Sequence, residues 1–242
     1  MKDKIALVSG TSSGIGKSCA LELINSGCYV YGIDKENSTI ANTMYKHYIA
    51  DITNEEQIID IIDQITINSK SINFLVNAAG TFSNNKPFFE LDLDRWNKVI
   101  LVNLTGTFIL SKHVSKNMIL SGKGKIVNIS CIRSGIFKPN MSDYASSKAA
   151  VVALTSTMAL DLASYNIQVN SVAPGFTYTG MTQKAFDQPD IRKASEALIP
   201  NGKIAMPDDI TPVIMFLLSE GSNYITGTTI HADGGYRIQK WS

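Results

Sequence analysis

Cysteine, histidine and net charge are all scarce in this chain of 242 residues, and each scarcity removes a class of explanation. The three cysteines, Cys19, Cys28 and Cys131, are too few and too scattered for a disulfide framework or a thiolate metal pattern. His47, His113 and His231 stand alone in sequence, so no metal centre is expected. The formal net charge is only +1, which gives no electrostatic pull toward nucleic acid or an anionic membrane surface. There is no apolar run of the roughly 20 residues that a spanning helix requires, no signal-peptide-like apolar region at the N-terminus, no repeat and no low-complexity tract. Hydrophobic residues at 44% are nonetheless ample for a core. The expectation is a single cytoplasmic domain that handles a small-molecule substrate, without metal, nucleic-acid or membrane partners.

What the chain does contain is alternation. Apolar, β-branched runs near residues 4–9, 28–34, 45–50, 73–77, 124–131, 167–173 and 228–232 read as strands, and the intervals between them are mostly helical in pattern. Strand–helix alternation implies a parallel sheet with right-handed crossovers, hence helices on both faces and a crevice at the carboxyl ends of the strands where their order switches. The fold class is therefore α/β: a Rossmann-type doubly wound sheet of seven parallel strands in one domain.

Two local patterns carry chemistry. The first strand breaks into Ser9-Gly10-Thr11-Ser12-Ser13-Gly14-Ile15-Gly16, with a helix expected over residues 14–25. Glycines let the backbone approach a pyrophosphate, and the unpaired N–H groups of a helix N-terminus favour its charge. Further along, Tyr144 and Lys148 are four residues apart in a helical stretch, so they share a face. An adjacent ammonium favours phenolate over phenol, and Lys148 is therefore expected to lower the Tyr144 pKa toward neutrality, suiting it to exchange a proton with an alcohol or ketone oxygen.

These motifs, in this order and spacing, resemble the short-chain dehydrogenase/reductase family over nearly the whole chain. The family's Thr-Gly-x-x-x-Gly-x-Gly is similar to Ser9 through Gly16, its Asn-Asn-Ala-Gly to Asn77-Ala78-Ala79-Gly80, and its helix asparagine to Asn103 in Leu101-Val102-Asn103-Leu104. The resemblance implies an NAD(P)-dependent oxidoreductase that interconverts a secondary alcohol and a ketone. Tyr144 would be the acid/base, Lys148 its partner and a ribose ligand, and Asn103 would position a water linking Lys148 to solvent. It also implies a dinucleotide held by Gly10, Ser12, Ser13, Gly14, Ile15, Gly16, Asp34, Lys35, Asp51, Ile52, Asn77, Ala78, Ala79, Gly80, Tyr144 and Lys148. Pro174, Gly175, Phe176, Thr177 and Thr179 would cover the nicotinamide. Asp51 would receive the adenine amino group, with Ile52 beside the ring; a helix cap and a core residue are their alternative readings.

Asp34 at the end of the second strand favours NAD(H), because a carboxylate hydrogen-bonds ribose hydroxyls and repels a 2′-phosphate. Lys35 could pair with such a phosphate, which leaves NADP(H) open. The chain departs from the family where a serine usually stands thirteen residues before the tyrosine, since Cys131 occupies that place. A thiol is the weaker donor, so Ser134 is the expected substitute, while strand alternation should turn Ser130 away. A small buried hydrophobe is the other reading of Cys131.

Substrate identity rests on loops at 81–89, 133–143 and 180–207, the last of which resembles the family's mobile lid, about 181–207. Met181, Phe186, Ile191, Leu198 and Ile199 there suit either a ligand cover or a packed helical hairpin. Arg133 could clamp a substrate carboxylate or stand in solvent. Free metabolites and carbonyls or alcohols borne on a peptide or carrier protein are both compatible. Val151, Leu154 and Met158, on the helix of Tyr144 but broadly opposite it, suggest an intersubunit face, and relatives imply a homotetramer. A dinucleotide-sensing protein without chemistry, and an epimerase or dehydratase using bound NAD, are the remaining readings.

Overall fold

The computed structural model describes residues 1–68, 71–82 and 85–238. The expected strands form as β1 (Ile5–Ser9), β2 (Tyr29–Asp34), β3 (Tyr45–Ile49), β4 (Phe74–Asn77), β5 (Gly124–Ile129), β6 (Ile167–Pro174) and β7 (Thr229–Ala232). They make one seven-stranded sheet in the order β3-β2-β1-β4-β5-β6-β7, and every neighbouring pair is parallel. The order reverses between β1 and β4, which opens the crevice at their carboxyl ends.

Strand alternation divides the core into two layers. Leu7, Ile33, Leu75, Ile126 and Val169 face α2 (Glu55–Asn68), α4 (Gly106–Ser121) and α5 (Ser142–Leu162), whose Ile58, Ile65, Leu110, Val114, Met118 and Ala159 complete that layer. Ala6, Val8, Val30, Val76, Val127 and Val172 face the opposite way, onto α1 (Gly14–Asn25) and α8 (Pro207–Leu218), through Cys19, Ala20, Leu23, Ile210, Ile214 and Leu217.

The sheet departs from the expectation at two points that matter for the site. β5 ends at Ile129, so Cys131 stands beyond the strand and opens a short 3-10 turn, Ile132–Ser134. The long helical stretch before β5 is likewise not uniform: α3 (Leu93–Ile100) joins α4 through a π-helical turn, Leu101–Thr105, which contains Asn103. A π-turn of this kind sets one side chain out of the α-helical register, and such turns recur at functional sites.

Of the three α5 residues read as an intersubunit face, Val151 is corrected, while Leu154 and Met158 are half-buried. Val151 is 1% exposed and belongs inside the protomer. Met158 packs against the core layer of Ala159 and Leu162 because that side of α5 lies on the sheet. The outward apolar residues are instead Leu160 on α5, at 80% exposed, with Phe108 and Leu101 half-exposed nearby in sequence to Asn103.

A buried polar ladder crosses the middle of the sheet. Asn77 Nδ2 donates to Ser111 Oγ at 2.9 Å and to Asn128 Oδ1 at 2.8 Å, and Asn128 Nδ2 donates to Thr155 Oγ1 at 2.9 Å. These side-chain bonds tie β4, β5, α4 and α5 together without a buried charge, while Asn77 Oδ1 is buried without a partner. Asn128→Ala removes two of the ladder's bonds and leaves a void, so unfolding in urea should show a loss of about 2–4 kcal/mol; an unchanged midpoint would mean that the ladder is not a stabilising element.

Candidate active site

The crevice begins with the turn after β1. Gly10 has φ +78°, in the left-handed region, and a Cβ there would come within 2.8 Å of the Ala79 nitrogen. Glycine is required so that the turns after β1 and β4 can touch. A Cβ on Gly16 would overlap the Gly10 carbonyl, so α1 starts as close to the strand end as a backbone can. Ser9 Oγ accepts the N–H groups of Ala78 and Ala79, each at 3.2 Å, and holds the two turns together.

The N-terminus of α1 has no side-chain cap from Ser13 and no acidic residue in its first turn. The first intrahelical bond is Lys17 N–H to the Ser13 carbonyl, which leaves the N–H groups of Gly14, Ile15 and Gly16 without intrahelical partners. An uncapped helix start beside bare glycine backbone fits a dinucleotide pyrophosphate in both charge and room. Thr179 Cβ would lie 3.3 Å from a Gly14 Cβ, so the segment after β6 folds back over this cradle.

At the end of β2, Asp34 Oδ2 accepts Ser12 N–H at 3.0 Å and Oδ1 accepts Glu36 N–H at 3.1 Å. Ser12 Oγ donates to the Glu36 carbonyl at 2.9 Å. Lys35 is paired with Asp51 at 2.7 Å, while the other Asp51 oxygen accepts both the N–H and hydroxyl of Thr53. Ile52 is 5% exposed and its side chain occupies the space left by the missing Cβ of Gly106. Ile52 thus lies in the core, where it fills the cavity that the α4 backbone leaves.

The other end of the crevice gathers Tyr144, Lys148, Asn103 and Cys131. Lys148 is 6% exposed, and its Nζ donates to the Ile129 carbonyl at 2.8 Å. Asn103 Oδ1 accepts Thr81 N–H at 2.7 Å, and its Nδ2 donates to Thr81 O and Ser147 Oγ, each at 3.0 Å. A Cβ on Gly80 would sit 3.2 Å from Asn103 Oδ1 and 3.7 Å from Lys148 Nζ, so bare backbone lets these groups come together. The Cys131 thiol neighbours the Tyr144 hydroxyl closely enough to raise the phenol's pKa.

Of the three candidate neighbours, Cys131 is the one that acts on Tyr144. Ser130 is buried against Ser171 and the Val172 carbonyl, away from the crevice. Ser134, expected as the substitute donor, contributes its backbone N–H to the Cys131 carbonyl at 2.9 Å, and among the described residues its side chain makes no bond to Tyr144. The 3-10 turn after β5 presents the thiol and carries Ser134 past it.

The electrostatics also depart from the expectation. Burial pushes the Tyr144 phenol well above its usual range, the Cys131 thiol raises it further, and Arg133 pulls it down. Lys148 is brought down to about 8, chiefly by burial. Lys148 thus does not bring Tyr144 to neutrality in the ligand-free chain: its Nζ is turned to a backbone carbonyl and lies 5.8 Å from the centre of the phenol ring. At neutral pH Tyr144 is a phenol, set to donate a proton.

Pro174 closes β6, and Gly175 lies so close to Asp233 that a Cβ would meet its Cα at 2.7 Å. Thr177 pairs with Ala205 in an isolated bridge, supported by Tyr178 N–H to the Ala205 carbonyl at 2.8 Å and Ala205 N–H to the Phe176 carbonyl at 2.9 Å. Beyond it lie α6 (Gln183–Phe186) and α7 (Pro189–Ala197). Phe186 and Ile199 pack with Ile204, whereas Met181, Ile191 and Leu198 remain exposed. Of the loop at 81–89, Ser83 and Asn84 lie outside the described residues.

Several groups at the site are new. Ser147 joins the Tyr144 carbonyl to Asn103, and its place three residues after Tyr144 on one helix face is a readable signal. The Phe82 ring stands 4.8 Å from that of Tyr144. Thr11 accepts the Tyr45 hydroxyl at 2.9 Å, and Tyr45 in turn meets His47. Asn77, expected at the cofactor, turns its side chain into the buried ladder instead, because it is an inward position of β4.

Comparison with known proteins agrees with this geometry. The family model described as Enoyl-(Acyl carrier protein) reductase matches residues 10–237. The 3-oxoacyl-[acyl-carrier-protein] reductase FabG of Thermotoga maritima is 34% identical over 250 residues, covering 98% of this chain and 99% of its own. The ligand-free aldohexose dehydrogenase of Thermoplasma acidophilum superposes with TM-score 0.94 at 32% identity, covering 100% of this chain and 96% of that one. ElxO with NADP bound superposes with TM-score 0.92 at 31% identity, covering 99% and 100%. No helix among the described residues is long and apolar enough to cross a membrane, and no group of His, Cys, Asp and Glu there could hold a metal ion. Glycine cradle, doubly wound sheet and Tyr144–Lys148 pair thus meet in a chain that belongs to the short-chain dehydrogenase/reductase family, the NAD(P)-dependent oxidoreductases that act between CH–OH and C=O.

Proposed function

We propose that this chain reduces a ketone to a secondary alcohol, and runs the reverse reaction, with Tyr144 as general acid/base and NAD(H) as the preferred dinucleotide. The observation that carries the reading is the meeting of Tyr144, Cys131, Lys148 and Asn103 at one end of a crevice whose other end is an uncapped, glycine-lined helix start. The dinucleotide, when bound, supplies or receives the hydride. Tyr144 gives its proton to the carbonyl oxygen, and its raised pKa keeps that proton in place at neutral pH. Cys131 lies against the same hydroxyl and faces the developing oxyanion as a weak donor. Lys148, lowered to about 8, replenishes the Tyr144 proton and holds the ribose. Asn103 and Ser147 fix the Tyr144 turn of α5 against Thr81.

NAD(H) preference is supported by charge. Asp34 presents a carboxylate at the end of β2, and Lys35, the nearest cation in sequence, is held by Asp51. Gly14, Ile15 and Gly16 take the pyrophosphate, and Pro174 to Thr179 lie over it. The segment at 181–207 is the substrate lid, pinned at its base by the Thr177–Ala205 bridge. Exposed Leu160, Phe108 and Leu101 are the apolar surface of a homotetramer's helix interface. The relatives' substrates, a carrier-borne 3-oxoacyl group and an aldohexose, are both alcohol–carbonyl pairs.

Tyr144→Phe should bind NADH as the parent does, read by nicotinamide fluorescence, while turnover on a carbonyl panel falls by about 10²–10⁴-fold; parental turnover would sink the role. Cys131→Ser should hold or raise the rate, since a hydroxyl is the better donor, whereas a large loss would give the thiol a role of its own. In separate titrations NADH should bind more tightly than NADPH, and Asp34→Asn, which keeps an oxygen for Ser12 N–H, should shift the ratio toward NADPH by about tenfold, ~1.4 kcal/mol. A parental preference for NADPH would reverse the cofactor assignment.

A further inference from the structure

Arg133 is a buried cation that the protein leaves without an anion. It is 6% exposed, on the 3-10 turn that presents Cys131. Its guanidinium carbon lies 5.7 Å from the centre of the Phe176 ring and 5.6 Å from that of Tyr236, so it is held between the segment after β6 and the C-terminal 3-10 turn Tyr236–Ile238. Its one hydrogen bond, from Nη1 to the Ile136 carbonyl, is long at 3.3 Å. Among the described residues no carboxylate pairs with it.

A buried charge is costly unless paired, and arginines in interiors are almost always matched by carboxylates or several carbonyls. The two rings offset part of that cost through cation–π attraction, but they offer no acceptor for the guanidinium's N–H groups. None of its nitrogens is both sealed from solvent and unpartnered, so the unbonded N–H groups retain access. The field of this cation also reaches Tyr144, whose ionisation it favours. A fixed planar fork with free donors, beside the acid/base, matches a carboxylate in two-point geometry.

Resting on the alcohol–ketone reading above, we infer that Arg133 is the substrate-binding group for an anionic end of the substrate, and that the class of compound this site takes is an oxo acid and its hydroxy acid rather than a neutral ketone. The rings of Phe176 and Tyr236 set the plane of the fork, and the carboxylate completes its hydrogen bonds. The pairing is desolvated, so it discriminates strongly: a site built to bond a charged group rejects the analogue that lacks it.

The test compares straight-chain 2-, 3- and 4-oxo acids with their methyl esters on the NADH complex, reading turnover by NADH consumption and binding by calorimetry. At least one acid should exceed its ester in kcat/KM by about 10–100-fold, the range of a charge-assisted pair. Arg133→Gln should collapse that ratio toward one, mainly through the KM of the acid, and Arg133→Lys should restore part of it. The parent comparison stands even if the variants fold poorly. Equal handling of acid and ester, or turnover of neutral ketones with no saturable acid binding, overturns the inference and leaves the alcohol–ketone reading intact. Acid binding without turnover of any carbonyl supports the anion site and overturns that reading instead. No binding of any acid overturns the inference whatever the turnover.

Discussion

The cleft depends on a contact between two backbone turns. Where the strand order reverses, the chain leaving β1 and the chain leaving β4 diverge to opposite faces of the sheet, and a gap opens that no side chain fills. Ser9 Oγ spans it by accepting from Ala78 and Ala79, and Gly10 permits an approach that any Cβ would block. The start of α1, the Gly80 backbone and, through Asn103 and Lys148, the proton-transfer end all take their positions from this contact. A larger residue at Gly10 would separate the cradle from the chemistry before it altered either.

Desolvation then sets the character of the groups brought together. Arg133 favours ionisation of Tyr144, yet burial outweighs it, so the phenol is raised, and burial likewise lowers Lys148. The two shifts move the pKa values in opposite directions from their usual order. The result is a protonated phenol beside a lysine whose pKa of about 8 is within reach of physiological pH.

Most of the fold was legible in the sequence, because its determinants are local. The runs around Ala6–Val8 and Val169–Val172 are apolar and β-branched, and the glycine turn fixes where α1 begins at Gly14 and hence the first crossover. The site was legible as a set of positions but less so as a set of contacts. Cys131 at the serine place was readable; that β5 stops at Ile129, so that the thiol and not Ser134 meets Tyr144, was not, since strand ends are decided by neighbouring strands. The inward placement of Ile52 and Val151 was not legible for a related reason: only the helix packed against an apolar residue decides whether it faces inward. Arg133 between Phe176 and Tyr236 joins segments far apart in the chain, a meeting for which periodicity carries no signal.

The Thr177–Ala205 bridge has an evolutionary consequence. Two backbone bonds close the neck of the segment carrying α6 and α7, and Phe186 and Ile199 anchor it further against Phe176 and Tyr236, while Met181, Ile191 and Leu198 stay exposed. Closing a longer loop is cheap, about 0.6 kcal/mol for each doubling of length. Changes of length in the exposed part of the segment, away from Phe186, Ile199 and Ile204, are therefore cheap to folding. Descendants of such a chain can acquire new specificities by redrafting one tethered segment, while the machinery beneath it is inherited unchanged.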